Sequence, residues 1–187
     1  MLAEIYSMKK LTKYYFSFFQ KEKNLYFVFS LGFAIGFYLF YFTILENTNQ
    51  NENLKVVEFS FGYILKTNSG VFLILLMGVL SVGILNIFTI FINGFIVGLA
   101  FNEFSSQFGL LKALLAFLPH GILEVLVYVS LSSHIIYISE FFLLDVLNDF
   151  NSPLFMTLFK AKSISLLYIL LIIAAFIEVF ITPIILN

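Results

Sequence analysis

Long apolar runs alternating with shorter polar stretches set the plan of this chain. Residues 25–45 form one such run, 71–133 a second with only Glu103, Lys112 and Glu124 charged, and 164–186 a third. A helical membrane crossing takes about 20 apolar residues. The pattern therefore predicts five spans, at 25–45, 71–90, 92–109, 112–133 and 164–186. The expected fold class is all-α: a single polytopic transmembrane helix bundle with amphipathic surface helices. Two of the predicted spans carry small residues four apart, Gly32 with Gly36 and Gly94 with Gly98, a spacing that lets helices approach closely.

The polar stretches give the expected connections. In the leader, residues 1–24, Lys9, Lys10 and Lys13 interleave with apolar residues at three- and four-residue spacing, which fits an amphipathic helix or a solvated basic leader. Residues 46–70 read as an external loop with a short helix near 56–65. A turn is expected around 86–93. Residues 134–163 read as a cytoplasmic loop with a surface helix over 141–150 ahead of Pro153. Lysines favour the cytoplasmic side, so the N-terminus is expected inside. Five crossings then place Lys160 and Lys162 inside and the C-terminus outside, in a bacterial cytoplasmic membrane.

Composition sharpens this reading. The chain has 187 residues, 61% hydrophobic and 11% charged, where a soluble domain is about a quarter charged. Its ten basic residues are all lysine, and without arginine the usual means of gripping phosphate and base edges is missing. No nucleic-acid partner is expected; the lipid bilayer is. With no cysteine, disulfides, thiolate metal sites and cysteine nucleophiles are excluded. No small-residue cleavage site follows the first apolar run, so that run is expected to stay as an anchor.

Ionisable residues inside spans carry the candidate chemistry, because burying them in lipid costs roughly 2.5–3.5 kcal/mol or more. His120 and Glu124 stand four apart, on one face of a helix, and Pro119 is expected to kink that helix. Counted from the span ends, His120 and Glu178 both lie roughly 12 Å deep at 1.5 Å per residue, with Glu103 nearby in depth. Such a set would suit Zn²⁺ or another divalent metal, with His120, Glu124 and Glu178 as ligands and Glu103 or Glu124 as catalytic carboxylates activating a bound water. A buried His–Glu pair that locks helix packing and a proton or ion path are the competing readings. The pattern HxxxE is far less specific than HExxH.

The pair Asn93-Gly94 with Gly98, the segment LPHGILE over 118–124, and the segment AAFIEVFITP over 174–183 resemble the stage II sporulation protein M family. The resemblance implies a helical multi-pass protein of bacterial or archaeal membranes. It further implies packing roles for Asn93, Gly94, Gly98, Pro119, Gly121, Thr182 and Pro183. Within that family the sporulation member acts as scaffold for a murein hydrolase pair. Other members are implicated in maturation or export of circular bacteriocins. This chain carries His120 and Glu124 and so is similar to the broader branch rather than the sporulation member. Two functions stand open. One is processing, maturation or export of a hydrophobic peptide, with membrane or ATPase subunits as partners; if the chain is an enzyme, it is an intramembrane metal-dependent peptidase or peptide-bond-forming enzyme. The other is a non-catalytic scaffold of a cell-envelope complex, as a monomer or an oligomer.

Overall fold

The computed structural model describes residues 20–39, 60–147 and 161–186. Helix α1 covers 20–39, and α2 is Phe61–Met77, continued by a 3-10 turn at Gly78–Ser81. Then come α3 (Ile84–Phe108), α4 (Leu110–Leu147), α5 (Ala161–Phe180) and the short α6 (Thr182–Leu186). The described residues contain no strand. Among them, Phe61–Ser81, Ile84–Phe108, Leu110–Glu140 and Lys162–Ile185 are each long and apolar enough to cross a membrane. The chain is therefore an all-helical membrane bundle. The leader up to residue 19, the end of the first expected span, the loop over 46–59 and residues 148–160 lie outside the described residues.

Three boundaries differ from the expected ones. The second spanning helix starts at Phe61, ahead of the expected 71, because Ser60 caps it: the Ser60 Oγ accepts from the Tyr63 N–H at 3.3 Å. The turn falls at Val82–Gly83, not within 86–93, where α3 is already helical. Both turn residues have positive φ, 52° and 85°. Ser81 and Asn86 close this turn. The Ser81 Oγ accepts from the Leu85 N–H at 3.0 Å, and the Asn86 Nδ2 donates to the Leu75 carbonyl at 2.9 Å. Asn86 thus adds a second donor to a carbonyl at the end of α2 that also accepts from the Gly78 N–H. Finally, α4 runs through Pro119 and on to Leu147, so the expected loop from 134 begins as helix. At 1.5 Å per residue α4 is about 57 Å long, well beyond the roughly 30 Å hydrocarbon core.

α4 is the axis of the bundle, packed most extensively on α5 and next on α3. Its Val127, Leu131, Ile135 and Ile138 are fully buried and meet Leu75, Ile90 and Leu171 in the core. That core leans toward the end of the molecule that carries Lys21 and Glu140, whose side chains form an ion pair. Outward-facing Leu73, Phe88, Ile96, Ile122 and Ile169 are exposed. In a bilayer such positions meet lipid tails.

α1 docks on α3 through the four spaced glycines. A Cβ on Gly32 or Gly36 would overlap the backbone carbonyl of Phe91 or Phe95, and one on Gly94 or Gly98 that of Phe29 or Phe33. Two backbones in direct contact require that no side chain stand between them, which is the use of the small-xxx-small spacing. Asn102 fastens the far end of this seam, its Nδ2 donating to the Phe37 carbonyl at 2.5 Å.

Candidate functional site

His120 and Glu124, predicted to share one site, take hydrogen-bond partners on different helices. Glu124 points from α4 toward α2, where the Asn68 Nδ2 donates to its Oε1. One turn along α4, the Tyr128 hydroxyl donates to the Asn68 backbone carbonyl at 3.4 Å. Asn68 thus serves two residues of α4, one with its side chain and one with its main chain. The neighbouring Ser69 hydroxyl lies 3.0 Å from that of Tyr168 on α5. This set joins three helices at the middle of the bundle.

His120, one turn earlier on α4, has a different partner. Its Nδ1 lies 3.4 Å from the Thr182 hydroxyl at the start of α6, and that hydroxyl donates to the Ala116 carbonyl at 3.2 Å. The ring of Phe117 lies 5.7 Å from the imidazole and closes the site toward Phe101 and Phe104. His120 is 6% exposed, so the imidazole is held in protein rather than lipid. One turn of α4 thus separates two ties, α4 to α6 and α4 to α2.

Glu178, on α5, faces the same region and is close enough to Glu124 for the two carboxylates to act on each other. Glu103 stands apart from that set: its Oε1 accepts from Gln107 Nε2 on its own helix at 3.4 Å. Among the described residues, no group of three or more His, Cys, Asp or Glu side chains is placed to hold a metal ion. Of the residues expected to pack, Thr182, Gly94 and Gly98 sit at helix contacts. Gly121 does not, since nothing lies within 4 Å of where its Cβ would stand. Pro119 and Pro183 are exposed and Asn93 is half-buried.

The sequence reading missed Asn68, Tyr128 and Tyr168. Asn68 falls in the expected 46–70 loop, whereas α2 already runs from Phe61. The available signal was Ser60, a capping residue standing ahead of an apolar run that tolerates one lysine.

Fold and site together define a polytopic helical membrane protein whose intramembrane polar residues tie α4 to its neighbours. The chain belongs to the stage II sporulation protein M family, whose model matches residues 25–183. It is also similar to an uncharacterized protein of the archaeon Methanocaldococcus jannaschii, 33% identical over 165 residues, which is 83% of this chain and 90% of that one. No solved structure matches.

Proposed function

We propose that this chain is a non-catalytic membrane subunit of an assembly that matures or exports a hydrophobic peptide. The observation that supports a non-catalytic role is the division of labour among the ionisable residues. Glu124 is engaged by Asn68 and His120 by Thr182, on different neighbouring helices. Hydrogen bonds of this kind in membranes are worth about 0.6–1.7 kcal/mol each, enough to set helix register. The peptide-directed role rests on family membership and on the His120 and Glu124 pair that the sporulation branch lacks. In this reading the N-terminus is cytoplasmic and the C-terminus is external, following the lysines at the Lys21 end. Scaffold partners would be further membrane or ATPase subunits.

One observation favours a second reading. The carboxyl groups of Glu124 and Glu178 share a region, and a divalent cation between them would compensate the charge of both once ionised. In that case the chain is a metal-dependent processing factor.

Metal content and chelator sensitivity of the purified chain in nanodiscs separate the two. The subunit reading expects no stoichiometric divalent metal and a thermal midpoint unmoved by chelator. Near-stoichiometric Zn²⁺, lost in Glu178→Gln with the fold intact, would sink it.

A further inference from the structure

α4 changes character along its length. From Val127 to Ser139, ten of thirteen residues are buried, so protein surrounds this half of the helix. From Leu110 to Ile122, three of thirteen are buried: Ala113, Ala116 and His120. Spacings of three and four put these on one face. The first half of α4 therefore meets the rest of the bundle along a narrow stripe, flanked by the Phe117 ring against Phe101 and Phe104. Segments with so few buried contacts move most easily.

The two halves join at Pro119–Gly121. Pro119 has no N–H, so the Leu115 carbonyl lacks its helical donor. Two residues on, nothing lies within 4 Å of where a Gly121 Cβ would stand, so no neighbour is packed against the helix at that point. Proline is a usual cause of a helix bend. At its other end this half of α4 is joined to α3 by the single residue Gly109, with φ 84° and open space around its Cβ position. Residues 110–118 thus form an arm with a flexible joint at each end.

One side chain of α6 spans the Pro119 joint. The Thr182 hydroxyl donates to the Ala116 carbonyl at 3.2 Å, and its oxygen lies 3.4 Å from His120 Nδ1. Ala116 is on the arm and His120 is beyond the proline. Thr182 therefore supplies from outside a polar bond at the turn where the helix lacks one of its own, the way membrane helices accommodate an internal proline. We propose that residues 110–118 are a hinged arm of α4 that pivots at Pro119–Gly121, with Thr182 as the latch that holds it closed.

The test uses the full chain in nanodiscs. The chain has no cysteine, so spin labels attach only where cysteines are introduced. The pair Leu111→Cys with Leu73→Cys reads the arm against α2, and Ile184→Cys with Leu73→Cys reads α6 against the same reference. All three positions are exposed. From Leu111 to Pro119 the arm is about 12 Å long at 1.5 Å per residue. A proline kink exceeds about 20°, so opening displaces the end of the arm by about 4 Å. Electron–electron distance measurements on Thr182→Val are expected to show a second population for the Leu111 pair, displaced by about that much. Thr182→Ser, which keeps the hydroxyl, is expected to match the wild type. Pro119→Ala, which restores the missing N–H, is expected to abolish the second population in the Thr182→Val background. Identical Leu111 distributions in the wild type and Thr182→Val would overturn the proposal. So would a shift of the Ile184 pair alone, which would assign the motion to α6. A second population that survives Pro119→Ala would also overturn it, because the arm would then be melting rather than pivoting.

Discussion

Asn68 on α2 donates its side-chain N–H to the carboxylate of Glu124 on α4, 56 residues along the chain. The acceptor is ionisable and the donor is neutral. A carboxamide in place of the carboxylate would still accept that bond, and this property separates a structural tie from a charged centre.

Glu178 is the complementary case. It acts electrostatically on Glu124 from the facing helix. Replacing it by Gln removes a like-charge contact and keeps the shape. Glu178→Gln is expected to leave unfolding stability unchanged or raise it slightly, since the carboxamide keeps the shape and hydrogen-bonding capacity of the side chain without placing a like charge beside Glu124. Urea or steric-trap unfolding in bicelles checks this, and a clear loss of stability would mean that the charge itself is being used.

The α1–α3 seam makes a steeper prediction. Any Cβ at Gly94 or Gly98 overlaps a carbonyl of α1, so the helices must separate to admit a side chain. Overpacking of this kind costs about 1–3 kcal/mol. Gly94→Leu is expected to fall at the upper end of that range, because backbone rather than a movable side chain is in the way. Gly121→Ala, with nothing within 4 Å, serves as the control and is expected to be neutral or stabilising. Thermal unfolding of the two variants side by side reads the contrast.

Val82 holds a left-handed conformation with φ 52°, which costs an L-residue roughly 1–2 kcal/mol. Glycine removes that strain but gives back about 0.5–1 kcal/mol of backbone entropy. The net expectation for Val82→Gly is a gain of about 0.5–1 kcal/mol, visible as a raised thermal midpoint. Val82 is 44% exposed, so little packing is lost.

Much of the fold was legible in the sequence because lipid imposes a simple code. Runs of apolar residues at helical length had to be spans, and the glycine pairs at 32/36 and 94/98 had to meet some backbone. Which backbone was not readable, since spacing names a close contact without its partner. Boundaries failed where hydropathy is silent. Lys66 and Asn68 made the start of α2 resemble a loop, although one lysine near a helix end reaches the interface easily. The turn at Val82–Gly83 carries almost no polar signal, because Asn86 and Ser81 satisfy it from within. His120, Glu124 and Glu178 all lie on helices long and apolar enough to cross a membrane. That His120 and Glu124 take partners on different helices could not be foreseen, because spacing along one helix does not name the neighbours packed against it.

Thermal unfolding of Glu124→Gln beside Glu124→Ala, in nanodiscs, tests the tie between α2 and α4 most directly. A structural tie predicts that Gln, which still accepts from Asn68, stays close to wild type. Ala is then expected to lose about 1 kcal/mol, and Asn68→Ala to match it. Gln as damaging as Ala, with Asn68→Ala silent, would contradict the account and show that the molecule depends on the charge at position 124 rather than on the bond.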